Sequence, residues 1–177
     1  MSVKVAGRAK ADAAPADVAL EAFVVSHYPR LIRLAGLICR ESQQAQVAVQ
    51  AGLERAWRHR SQLLDAERLQ PWLDRIIVRE AIRASRGGFF GLGRAVLVEI
   101  HVEPAGQVGP GLADDWADLR TAFDRLNAAQ RAVVALHLYA GYPVAETAAI
   151  VGSPVETVRS RLRAAREALR ASMGDKG

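Results

Sequence analysis

Between residues 143 and 170 a mostly apolar octet, a glycine, a proline and a long amphipathic stretch follow one another. That order fits two helices crossing at a tight turn. Val144 to Val151 forms the short first helix, Gly152 supplies the turn, and Pro154 opens the second helix where a missing N–H costs nothing. Val155, Val158, Leu162, Ala165 and Leu169 recur at helical spacing and give that helix one narrow apolar stripe. A chain bearing this pattern has to bury the stripe against further helices, which points to an all-α fold.

The outward side of the second helix is basic. Arg159, Arg163, Arg166 and Arg170 form a row beside the stripe, while Glu156, Thr157, Ser160 and Arg163 face most nearly away from the core. In a helix-turn-helix that binds DNA, the N-terminal residues of the second helix touch base edges in the major groove. Thr157, Ser160 and Arg163 suit such contacts, Glu156 suits a cytosine amino group, and Arg159, Arg166 and Arg170 suit base edges or phosphates. A solvated arginine face on any bundle helix has the same spacing. Four arginines against the two acids Glu156 and Glu167 on that side favour DNA. Of the 24 basic residues 21 are Arg, whose fork of donors matches phosphate and guanine, although a GC-rich genome also enriches Arg.

Upstream, three more helical periods fill residues 18–86. Leu20, Phe23, Val24, Leu31, Leu34 and Ile38 mark the first; Gln43 to about Leu64 is the second; Leu69 to Arg86 is the third, with Pro71 in its first turn. Trp57 and Trp72 read as core residues. Seven of the 14 glycines, with Pro104 and Pro110, lie between Gly87 and Gly111, a linker by composition. Inside it, Ala95 to Val102 is an apolar, β-prone run expected to dock on something. The expected organisation is therefore a tail over 1–17, a helical domain over 18–86, a Gly-rich linker over 87–114 and a helix-turn-helix domain over 115–172.

Several classes are excluded. No apolar run is long enough to span a bilayer, no secretory signal is evident, and the one cysteine, Cys39, rules out a disulfide framework. A reducing cytoplasm is the expected setting. The four histidines are scattered, with no HExxH, no Gly-rich phosphate loop and no paired carboxylates, so neither an enzyme nor a metal or cofactor site is expected.

Three stretches carry a family resemblance: Leu126 to Arg131, Gly141 to Ala148, and Thr157 to Arg166. They closely resemble the fourth conserved region of the extracytoplasmic-function class of bacterial sigma factors, within the sigma-70 family. Tyr28-Pro29-Arg30-Leu31, Arg55-Ala56-Trp57-Arg58 and Trp72-Leu73-Asp74-Arg75-Ile76 resemble, more loosely, the second region. The resemblance implies core RNA polymerase and promoter DNA as partners, with an anti-sigma factor as a further candidate. It implies that the C-terminal domain reads the −35 element through Glu156, Thr157, Arg159, Ser160, Arg163 and Arg166. The N-terminal domain would melt and capture the −10 element. Arg68, Arg75, Arg79 and Arg83 are candidates for tracking the strand, and the loop Ser61 to Gln70 for holding a flipped base. Gln46, Gln50 and Arg55 would face the polymerase.

This chain departs from the family on the second helix. Where members carry the acidic motif Asp-Ala-Glu-Asp-Leu-Val-Gln-Glu, residues 44–51 read Gln-Ala-Gln-Val-Ala-Val-Gln-Ala. Glu156 also replaces a small residue before Thr157. Two other readings stay open beside the sigma factor: a sigma-derived DNA-binding regulator with weakened polymerase docking, and a protein-interaction module for an anti-sigma factor.

Overall fold

The computed structural model describes residues 16–63, 65–87 and 120–174. Residues 1–15 of the expected tail and the apolar run 95–102 lie outside the described residues, whereas residues 16 and 17, expected in the tail, begin the first helix. All described secondary structure is helical, and no helix among these residues is long and apolar enough to cross a membrane.

The N-terminal half is a three-helix unit of α1 (Ala16–Cys39), α2 (Ser42–Arg58) and α3 (Leu69–Ser85). Leu31, Leu34, Ala35 and Ile38 are fully buried, the i, i+3, i+4, i+7 set that makes one helix face. They meet Val49, Leu73 and Ile77, and each such large side chain contributes about 1.5–3 kcal/mol on burial. The buried face of α2 is mostly small: Ala45, Ala48, Ala51, Gly52 and Ala56. This lets α3 approach closely; a Cβ on Gly52 would stand 2.4 Å from Cδ1 of Ile77. The second helix stops at Arg58, short of the expected Leu64. Beyond Trp57 the sequence Arg-His-Arg-Ser-Gln offers no apolar side to bury, and residues 60–62 form only a 3₁₀ turn. Trp57 is itself 46% exposed, with the Arg60 guanidinium 4.5 Å from its ring centroid, so the expectation of core packing fails there. Trp72 is half-buried.

In the C-terminal half a helical segment at 120–125 leads to α4 (Ala128–Val134), α5 (Val144–Val151) and α6 (Val155–Gly174). Asn127 caps α4: its side chain accepts from the Gln130 N–H, and the Gln130 side chain accepts from the Asn127 N–H, both at 3.0 Å. A π turn over Ala135–Tyr139 continues α4, with the Ala140 N–H donating to the Ala135 carbonyl. Gly152 takes φ +69, the left-handed conformation the turn requires, and α6 starts directly after Pro154. Val158, Leu162 and Ala165 of the expected stripe pack with Leu126, Val133 and Ala148.

The two halves are packed into one another. Ala132, Ala135, Leu136, Tyr142 and Ile150 belong to the same buried cluster as α1, α2 and α3. Polar groups seal this seam. The buried Arg131 donates through Nε and Nη2 to the Ile38 carbonyl at the end of α1, at 2.8 and 2.6 Å. Asp74 on α3 is wholly buried and accepts two hydrogen bonds from Arg30 at 2.8 and 2.7 Å. Its Oδ2 also accepts the Tyr142 hydroxyl at 2.7 Å. Every buried side-chain N and O among the described residues has a partner, as a seam excluded from water demands.

Candidate nucleic-acid interface

The outer face of α6 carries the residues expected to touch DNA. Glu156, Arg159, Ser160, Arg163 and Arg166 are exposed and Thr157 is half-buried. The Ser160 hydroxyl donates to the Thr157 carbonyl at 2.9 Å, which leaves its lone pairs outward. Arg159 pairs with Glu156 one turn earlier, so these two act as one unit at the start of the helix. Arg159, Arg163, Arg166 and Arg170 line a shallow cavity of about 380 Å³ whose far wall holds His137 and Val144. His137 was not expected at this face. Its Nδ1 bonds the Tyr142 carbonyl at 2.8 Å, which turns the other ring nitrogen away from that carbonyl. A lone histidine gives no pattern in a sequence, and only the π turn brings it beside the arginine row.

The −10 candidates divide into two groups. Arg68 and Arg75 line a cavity of about 570 Å³ together with Gln62, Asp65, Trp72 and, from α5, Glu146 and Ile150. Arg79, one turn further along α3, lies with Nη2 3.0 Å from where a Cβ on Gly152 would sit. Arg83 does not join them: it pairs with Glu80 at 2.8 Å. Arg55 pairs with the same carboxylate at 2.6 Å. Glu80 is only 4% exposed, and an arginine on each side satisfies its charge. Both arginines thus pair with a buried acid while their side chains stay about half exposed.

On α2 the side chains of Gln44, Gln46 and Val47 are half-buried and Gln50 is exposed. Ala51, the last position of the motif that lacks its acids here, is 8% exposed and faces the helix packing. Cys39 is buried, its Sγ donating to the Ala81 carbonyl at 3.5 Å, and burial pushes the thiol up to about 11. No cluster of metal-ligating side chains occurs among the described residues.

Comparison with known proteins agrees over both halves. The model described as sigma-70 region 2 matches residues 23–88, and that described as sigma-70, region 4 matches residues 116–169. The extracytoplasmic-function RNA polymerase sigma factor SigM of Mycobacterium tuberculosis, in strains Erdman and H37Rv, is 32% identical over 155 residues. The match covers 84% of this chain and 74% of that protein. Among solved structures, the sigma factor RpoE of Bartonella quintana, in complex with the anti-sigma factor NepR, has a TM-score of 0.63 at 23% identity. That match covers 89% of this chain and 98% of the other. CnrH in complex with the cytosolic domain of CnrY also has a TM-score of 0.63, at 20% identity, over 92% and 96% of the two chains.

Proposed function

The chain belongs to the extracytoplasmic-function class of the sigma-70 family, and from that premise we propose how its two halves share promoter recognition. As an alternative sigma factor it binds core RNA polymerase and directs transcription initiation. Residues 18–86 form the region 2-like domain and 115–172 the region 4-like domain. The observation that carries the reading is α6: Val158, Leu162 and Ala165 are buried, while Arg163, Arg166 and Arg170 stand exposed in the row beside them.

In this reading α6 enters the major groove of the −35 element. Arg163 and Ser160 reach base edges, and Arg166 and Arg159 reach flanking phosphates. Arg68, Arg75 and Arg79 track the −10 strand beside Trp72, where the loop 61–70 offers a recess for an unstacked base. Gln46 and Gln50, with Arg55 as a lesser contributor, face the polymerase. The protein works in the cytoplasm as a binding subunit, without chemistry or a cofactor of its own. An anti-sigma factor is a further partner, in keeping with the complexes in which the two structural relatives occur.

Reconstitution with core polymerase tests this. Specific transcripts from some promoter are expected, and Arg163→Ala should weaken promoter binding by about 1–3 kcal/mol with relaxed sequence preference. Failure to co-elute with core polymerase would overturn the reading. The absence of acids over residues 44–51 of α2 favours one second reading, a DNA-binding regulator with weakened docking. A sequence-specific footprint by the protein alone would support that alternative.

A further inference from the structure

A second basic cluster lies away from both DNA faces, at the seam between the halves. A cavity of about 520 Å³ is walled by Arg40, Ser85 and Arg86 from the N-terminal half and by Asn127, Arg131 and Arg161 from the C-terminal half. None of these four arginines makes an ion pair among the described residues. The helices α1 and α3 both end here, and their two C-termini offset roughly one unit of positive charge. Asp124, whose charge reaches Arg131, offsets about one more. Among the described residues that line the recess, all the charged side chains are arginines.

The donors remain. Arg131 spends its guanidinium on the Ile38 and Leu126 carbonyls, so it contributes field, not contact. Arg40 bonds the Asp124 and Leu126 carbonyls through Nη2 alone. Arg161 bonds Ser153 Oγ through Nη1 alone, and Arg86 makes no side-chain bond within the described residues. Each guanidinium carries five N–H groups in a planar fork. Three forks therefore converge on one recess of a size that holds a small molecule. Crowding shows in the pKa of Arg131, lowered first by burial and then by the neighbouring Arg40 charge.

We propose that this recess binds a small polyphosphate, either free pyrophosphate or the phosphate end of a nucleotide, between the two halves. Because its walls come from both halves, such a ligand holds them together and opposes any arrangement in which they separate.

Titration calorimetry on the full-length chain at low salt, without polymerase, tests the site with pyrophosphate, guanosine diphosphate, guanosine and, separately, duplex DNA of arbitrary sequence. Saturable binding of pyrophosphate or the diphosphate, but not of guanosine, is expected. Tighter binding of the diphosphate than of pyrophosphate assigns a nucleotide, and equal binding assigns the phosphates alone. Arg86→Gln, an exposed position, should weaken binding about tenfold; Arg161→Gln should act likewise, and Arg166→Gln on the outer face of α6 should leave it unchanged. No saturable binding of either phosphate compound overturns the proposal. So does an equal loss in Arg86→Gln and Arg166→Gln. A loss in Arg86→Gln confined to duplex DNA of arbitrary sequence, with pyrophosphate indifferent, assigns the cluster to nucleic-acid backbone and also overturns it.

Discussion

Replacing Tyr142 with Phe removes one hydroxyl, and with it a short bond to Asp74 and a longer one from Gln70 across the seam. Tyr142 is 7% exposed, and its hydroxyl donates to Asp74 Oδ2 at 2.7 Å while accepting from Gln70 Nε2 at 3.4 Å. Phe keeps the ring and its packing. A hydrogen bond to a buried charged group contributes about 1.5–3 kcal/mol. The lower end applies here, since Asp74 keeps both donors from Arg30 and is not orphaned. We expect Tyr142→Phe to destabilise the protein by about 1.5 kcal/mol, a fall in Tm of roughly 3–6 °C for a chain of this size. Asp74→Asn should cost more, about 3–5 kcal/mol, because it leaves Arg30 half-buried without its partner.

Urea unfolding measures the first quantity, and hydrogen exchange at the amides of α5 locates it. The effect should extend to α5, held to α3 through this network, while the inner turns of α1 exchange at their global rate. Alkaline pH supplies a second arm. Burial, then the bond to Asp74, raises the Tyr142 pKa above 10, so the folded state favours the neutral hydroxyl. An unfolded tyrosine ionises near pH 10. The contribution of Tyr142 is therefore intact below about pH 10 and lost as pH rises beyond it, where the unfolded chain binds fewer protons. The gap between wild type and Tyr142→Phe should shrink above pH 10, leaving the shallower slopes of Tyr28 and Cys39, both raised by burial. If the two proteins unfold at the same urea concentration at pH 7, the seam does not depend on this bond and the reasoning fails.

Other positions yield simpler outcomes. Cys39, with its thiol held at about 11, should resist a thiol reagent at pH 8 in the folded protein and react fully in urea; rapid labelling of the native state would contradict its burial. Gly52→Ala should destabilise by about 1–3 kcal/mol in thermal unfolding, because the new methyl meets Ile77 at 2.4 Å. Gln44→Asp, Gln46→Glu and Val47→Asp together should tighten core polymerase binding by about tenfold or more, measured by competition, whereas unchanged affinity would remove α2 from the docking surface. Ala51 is left out of that set because an acid there would enter the helix packing.

Wherever one face of a helix carries the signal, the fold was legible. The buried residues of α1, the Gly152 turn and the stripe on α6 all follow from spacing alone. What spacing does not show is a helix with two buried faces. α5 turns Ala148 toward α6 and Ile150 toward the N-terminal core, and an eight-residue, mostly apolar stretch looks the same whichever side is covered. Buried charge was equally hidden. Nothing in the spacing marks Asp74 and Arg131 as buried, because their partners Tyr142 and Ile38 lie 68 and 93 positions away in sequence. The clustering of Arg40, Arg86 and Arg161 depends on the same packing, and so does the place of His137.

The closed seam bears directly on which step frees the −10 face. Arg68, Arg75 and Trp72 look onto a cavity whose opposite wall is Glu146 and Ile150, and Arg79 lies against the Gly152 turn. If, as proposed, a single strand carrying a flipped base runs along this wall, α5 has to leave first. Withdrawing Leu136, Tyr142 and Ile150 from the shared core costs about 1.5–3 kcal/mol each, and breaking the Asp74 bond adds about 1.5. The total is about 6–10 kcal/mol. Non-specific DNA binding, at about 10⁻⁴–10⁻⁶ M, supplies only about 5–8 kcal/mol, and most of it is already available to α6, which is exposed in the closed form. A nanomolar protein interface supplies about 12 kcal/mol. On the proposed reading the opening is driven by docking on the polymerase, with DNA capture following, and a helix whose residues 44–51 hold no acid has less energy to spare for that step than one with the acidic motif.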